Sequence, residues 1–183
     1  MLVIFLFLCL LLPTDVVLKH GGSSLKILDI NCSTNEEWLT NSSCVIKATR
    51  GSGGVINAIA YIKKTIYKCN VHIKSFRWYN GWKPFVVNRV VNVCQLFEKQ
   101  ANVFDKVAKK LFLLHSNINH ACPYNGAVKI NGISPNLSFI PSILEAGRYR
   151  LQLEFNETSS RPEWIGTLAV DVNINHPFRP SLI

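Results

Sequence analysis

The sequence predicts a mainly β protein: an antiparallel β-sandwich with one amphipathic helix packed on or over it. Three observations carry that reading. Tyr67, Cys69, Val71 and Ile73 alternate with Lys68, Asn70, His72 and Lys74, and a period of two demands one buried and one wet face. Tyr149, Leu151, Leu153 and Phe155 alternate in the same way with Arg148, Arg150, Gln152 and Glu154. Between two apolar runs lies Asn80-Gly81, a pair that accepts positive φ at both positions and so favours a hairpin turn.

The other elements follow in chain order. Leu25 to Asn31 reads as a first strand, Ser33 to Ser43 as a polar loop, and Cys44 to Ala48 as the start of a second strand. Gly51-Ser52-Gly53-Gly54 is a breaker cluster and predicts a turn. Lys83 to Val93 is apolar on both parities: Phe85, Val87, Val91 and Val93 share one, interrupted by Arg89, and Val86 and Val90 occupy the other. Such a strand is expected to sit centrally or to be covered on its second face. The cover would be a helix starting at Asn102 or Val103, capped by Asn102 with Asp105 near its positive end. Its inward stripe is Phe104, Val107, Leu111 and Leu114, with Lys106, Lys109 and Lys110 outward and His115 in the last turn. Ala127 to Ile133 is a further short strand, followed by a loop with Pro135, Asn136 and Pro141. Trp164 to Ile174 is the last strand, with Val170, Val172 and Ile174 inward, and the tail from His176 is expected to be frayed.

With 183 residues, the chain has the size of one domain. Met1 to Leu12 is an unbroken apolar run, too short to span a bilayer and suited to the core of a secretory signal. Residues 1–20 are therefore read as a signal peptide and 21–183 as a single sandwich domain. No later segment is long and apolar enough to span, so the mature protein is expected to be secreted and extracellular, with no stable membrane span. The net charge of +9 is spread over strands and a helix face, which argues for a solvated surface and against a nucleic-acid partner.

In an oxidising compartment the cysteines become candidate disulfides. Cys9 leaves with the signal, and Cys32, Cys44, Cys69, Cys94 and Cys122 remain. Cys94 and Cys122 flank the helix and on the simplest reading are partners. Cys32 and Cys44 flank one polar loop; either they pair locally or one of them reaches a distant strand, because spacing does not determine connectivity. Cys69 falls on a buried parity and is read as the unpaired cysteine, with an intermolecular bond as the alternative. Four N-x-Ser/Thr sequons, at Asn31, Asn41, Asn136 and Asn156, are candidate glycosylation sites.

Catalytic chemistry finds no support. There is no G-x-S-x-G elbow, the histidines are scattered without an i, i+4 pair, and the eleven acidic residues offer no evident carboxylate pair. A non-enzyme is expected, with neither metal nor cofactor. The aromatic and aliphatic side chains on half-buried strands point to a protein that accommodates a lipid or other hydrophobic small molecule. Candidate cavity walls are Tyr67, Val71, Phe85, Phe104, Leu111, Tyr149, Leu151 and Phe155. The alternative is an extracellular protein-interaction module with a filled core, contacting a receptor or other protein through Trp78, Tyr79 and Trp82.

A family resemblance enters with a particular set of residues: Gly81-Trp82-Lys83-Pro84-Phe85, Asn88, Val91-Asn92-Val93-Cys94, Phe104, Ser116-Asn117-Ile118-Asn119-His120, Cys122-Pro123-Tyr124 and Ala146-Gly147-Arg148-Tyr149-Arg150-Leu151. Together they resemble a large family of secreted insect proteins, mostly uncharacterised, that includes the CheB proteins of contact chemosensation. That family is in turn similar to the ganglioside-activator and ML lipid-recognition proteins. The resemblance covers Val71 to Phe155 and implies an ML-like β-sandwich cup able to hold an apolar ligand between its sheets. It also implies that Cys94 and Cys122 are structural and that Cys32 and Cys44 match the family's two N-terminal cysteines. Cys69 and the segment from Trp164 to Ile183 lie outside its pattern.

Overall fold

The computed structural model describes residues 25–48, 54–96, 109–110, 113–134 and 144–175. The strands are β1 (Leu25–Thr34), β2 (Leu39–Lys47), β3 (Val55–Ile66), β4 (Cys69–Trp78), β5 (Trp82–Asn92), β6 (Tyr124–Ile133), β7 (Gly147–Glu157) and β8 (Glu163–Ile174). A short helical turn, α1 (Val93–Leu96), follows β5. The strands form two antiparallel sheets, a five-stranded one in the order β1-β8-β7-β4-β5 and a three-stranded one in the order β2-β3-β6. The main core lies where the sheets face each other. Cys69 and Val71 of β4 and Ile165 of β8 pack with Ile66 of β3, Tyr124 of β6, Val93 and Cys94 of α1, and Trp38. A smaller cluster of Leu25, Tyr149 and Ile174, with Phe85 packed against it, occupies the other end of the large sheet.

Local chemistry explains several strand limits. Between β1 and β2 the polar stretch is four residues long, not the eleven-residue loop expected from Ser33 to Ser43. Asn35 makes this possible: its side-chain carbonyl accepts from the Glu37 N–H at 3.0 Å, and its backbone carbonyl accepts from Trp38 and Leu39 at 3.0 and 2.9 Å. An Asx turn of this kind replaces ladder hydrogen bonds within a few residues. The polar residues Thr40 to Ser43 belong to an exposed edge strand. The Asn80-Gly81 turn forms as expected, with φ of 52° and 137°.

Three expectations are corrected, and one strand lies where the sequence predicts none. The strand β3 was not anticipated, because the small and charged residues Ala58, Ala60, Lys63 and Lys64 blur its alternation. Tyr67 is 63% exposed in the β3–β4 turn and is not a core residue of the following strand. The strand β5 lies at the edge of its sheet and is not central; Val86 and Val90 are 66% and 56% exposed, since an edge strand with one wet face tolerates scattered apolar side chains. Leu114, placed on the helix's inward stripe, is 64% exposed. Residues 109–110 and 113–115 are helical. Phe104, Val107 and Leu111, the signal peptide 1–20, the sequon at Asn136 and the tail from His176 lie outside the described residues.

Candidate functional site: an apolar cleft between stapled sheets

The cysteines close the sandwich at two opposite edges. Cys32 of β1, an edge strand of the large sheet, is bonded to Cys44 of β2, an edge strand of the small sheet. At the other side Cys94, just after edge strand β5, is bonded to Cys122, just before edge strand β6. Each bond therefore ties one sheet to the other along one side. Cys69 is free and buried beside the second staple, its backbone N–H 3.3 Å from the Cys94 Sγ. Burial, with a smaller push from the nearby Glu157 carboxylate, raises the Cys69 thiol to about 12. Burial likewise pushes the Tyr124 phenol up to about 12, and its hydroxyl donates to the His120 carbonyl at 2.7 Å.

The free edge of β6 is covered by the stretch at Ser116 and Asn117. Asn117 accepts from the Lys129 N–H through its side-chain carbonyl at 2.7 Å and donates through its amide to the Ala127 carbonyl at 2.6 Å. Its own backbone N–H donates to the Lys129 carbonyl at 3.2 Å. One residue thus stands in for a short pairing strand, a device that blunts an otherwise adhesive edge.

Between the staples lies a half-open cavity of about 150 Å³. Its walls come from both sheets: Ala58, Ala60 and Ile62 of β3, Val128 and Ile130 of β6, and Phe155 and Leu168 of the large sheet, with Cys32 at one side. The room exists because small residues line the small-sheet side. Ala58 and Ala60 stand where larger side chains would fill the space. Gly166 borders the cavity from the large sheet, and a Cβ there would come within 2.9 Å of the Ser33 carbonyl oxygen on the neighbouring strand β1. Ile165 sits at the register shift between β7 and β8 and turns into the core. The cavity surface is almost wholly carbon. Serine and threonine residues at its border contribute little oxygen, and the Thr34 and Ser42 hydroxyls bond each other at 3.0 Å.

The sequence-derived wall residues distribute unevenly around this space. Phe155 lines it, and Val71 lies in the adjoining core. Phe85 and Tyr149 pack together in the smaller cluster, ring centroids 5.4 Å apart. Tyr67 and Leu151 are exposed, Leu151 by 42%, so neither is a wall. The walls that sequence reasoning missed, Ala58, Ala60, Ile62, Val128 and Ile130, belong to β3 and β6. Alternate positions in VINAIAYI carry a weak apolar signal that the alanines disguise.

A second surface lies at the β4–β5 hairpin. Trp78 and Trp82 meet edge to face with centroids 5.2 Å apart. Arg148 lies 5.4 and 5.8 Å from their rings, and Arg150 stands 4.3 Å over Trp82. Arg150 is held by both carboxylate oxygens of buried Asp171, at 2.6 and 2.9 Å. Arg77 pairs with Glu145 at 2.8 Å and lies 4.7 Å over Tyr79. Each cation–π contact contributes about 0.5–1 kcal/mol at an exposed site, so this cluster also stiffens the hairpin. Of the candidate glycosylation sites, Asn31 and Asn41 are exposed on β1 and β2, with Asn41 at a φ of 48°, and Asn156 is half-buried on β7. Among the described residues no three His, Cys, Asp or Glu side chains group as metal ligands, and no helix is long and apolar enough to cross a membrane.

Fold and site together define a disulfide-stapled antiparallel β-sandwich with an apolar cleft between its sheets. Residues 71–151, from β4 into β7, match a family described as "Protein of unknown function (DUF1091)". No curated protein matches the chain.

Proposed function

We propose that the chain is a secreted, non-enzymatic binding protein that takes the apolar part of a small hydrophobic molecule or lipid between its sheets. The observation that carries the reading is the carbon-walled cavity, open to solvent and built from both sheets. Its size refines the expectation. Pockets that enclose whole drug-sized ligands run to roughly 300–1,000 Å³, whereas about 150 Å³ holds a benzene-sized solute. The group taken up is therefore on the order of six carbons, and a longer chain would leave its remainder outside or require the sheets to part. Two disulfides are consistent with an extracytoplasmic setting. The resemblance to the CheB and ML lipid-recognition proteins supports the same reading and suggests chemosensation as a setting.

Native mass spectrometry of the secreted protein, with displacement of a fluorescent apolar probe, tests it. A retained hydrophobic ligand, or saturable displacement by small hydrocarbons, is expected; absence of both would remove the proposal. The cluster of exposed Trp78 and Arg148 with half-buried Trp82 favours a second reading, docking of an extracellular protein. In that case Trp78→Ala with Trp82→Ala would abolish partner binding and leave probe binding in the cavity unchanged.

A further inference from the structure

The cavity has a chemical bias that the rest of the molecule does not share. The chain carries 20 lysines and arginines and a net charge of +9, yet among the described residues no Lys, Arg, His, Asp or Glu side chain lines the cavity. Several polar groups at its border are engaged elsewhere: the Thr34 and Ser42 hydroxyls pair with each other and the Thr167 hydroxyl accepts from the Trp164 indole. Tyr124, which contributes to the wall, directs its hydroxyl to the His120 carbonyl. An ionised group drawn fully into this space would lose its hydration and meet no counter-charge among the described residues, a costly form of burial. A hydrocarbon group loses nothing there and gains dispersion contacts with walls that otherwise face a void.

From this composition we infer that the cleft selects uncharged ligands, taking compact neutral hydrocarbons, alcohols or esters in preference to fatty-acid carboxylates and amines of the same length. The inference rests on the proposed binding function and specifies its ligand class. Ala58 and Ala60 set the size limit, because their missing side-chain volume is what keeps the cavity open on the small-sheet side. The basic surface attracts anions generally, but among the described residues no cation reaches the lining where an anionic headgroup would need one.

The test is a matched series at pH 7: 1-hexanol, hexanoate and hexylammonium, each measured for binding to the intact disulfide-bonded protein by calorimetry and probe displacement. Hexanol is expected to bind, with both ions at least about tenfold weaker. Ala60→Leu, or Ala58→Leu should the first not fold, is expected to abolish hexanol binding while the circular dichroism spectrum is retained. Hexanoate binding as tightly as hexanol would overturn the inference while leaving a binding cleft in place. Hexanol binding that persists undiminished in the folded leucine variant would also overturn it, by placing the site elsewhere. Failure of all three compounds, together with n-hexane, would sink the underlying binding function itself.

Discussion

Removing the two staples separately should destabilise the protein to different, calculable extents. The Cys32–Cys44 bond closes 12 residues of chain and the Cys94–Cys122 bond closes 28. If a cross-link acts chiefly by restricting the unfolded chain, these loops correspond to about 2.8 and about 3.6 kcal/mol respectively. The packing of the second staple adds to the difference, since Cys94 is buried in the main core and truncation leaves a small void. The appropriate variants are Cys32→Ala with Cys44→Ala and Cys94→Ala with Cys122→Ala. Replacing Cys122 alone would leave the Cys94 thiol beside Cys69, whose N–H approaches Cys94 Sγ at 3.3 Å, and invite a non-native pair. Urea unfolding without reductant should show both variants shifted to lower midpoints, the Cys94/Cys122 variant further. In thermal unfolding its loss corresponds to roughly 7–14 °C. A Cys94/Cys122 variant that loses less than the Cys32/Cys44 variant at equal m-values would refute the assignment of stability to loop closure plus core burial.

Other perturbations have equally definite outcomes. Gly166→Ala places a methyl group 2.9 Å from the Ser33 carbonyl oxygen; because the obstacle is backbone, about 1–3 kcal/mol should be lost on denaturant unfolding, and an unchanged midpoint would show that β1 yields freely. For Glu157, burial opposes ionisation, but hydrogen bonds from Ser159 and from the Lys68 N–H outweigh it and hold the carboxyl below its usual value. A depressed carboxylate contributes stability above its unfolded value of about 4.3 that is lost as pH falls through the folded value. Glu157→Gln should therefore cost stability at neutral pH and flatten the acid limb below about pH 4.3; an acid limb of unchanged slope would contradict this. Cys69 behaves in the opposite sense. Its raised thiol contributes stability below the ordinary value of about 8.5, progressively lost as pH rises toward about 12. Cys69→Ala should flatten the alkaline limb between about pH 8.5 and about pH 12, and alkylation of the native protein at pH 8 should leave Cys69 unmodified until denaturant is added.

What could be read from the sequence follows from how strongly each segment couples pattern to burial. Alternation in Cys69 to Lys74 and in Arg148 to Phe155 placed β4 and β7 correctly, because neighbouring strands hold both in register on a packed face. Asn80-Gly81 marked its turn because few other pairs accept positive φ twice. The same logic misled at β5, where apolar residues on both parities suggested a central strand although Val86 and Val90 face solvent; an edge position is a property of topology, which one strand's composition does not encode. The cavity was the least legible feature. Large residues such as Tyr67 and Leu151 were natural candidates for its walls, but a void is defined by side chains that are missing. The decisive positions, Ala58 and Ala60, are those a search for hydrophobic bulk passes over.

The position of the staples also explains how the sandwich tolerates that void. An unfilled cavity costs about 24 cal/mol per Å³, so 150 Å³ corresponds to at most about 3.6 kcal/mol, a large part of the 5–15 kcal/mol by which domains are stable. Better packing at the centre would recover it but close the cleft. The chain instead secures its edges: Cys32–Cys44 joins β1 to β2, Cys94–Cys122 joins the β5 and β6 sides, and Asn117 covers the outer edge of β6. Either cross-link alone, at about 2.8 to 3.6 kcal/mol, is of the same size as the deficit at the centre. Stability has been moved to the perimeter, where it does not compete for the space between the sheets.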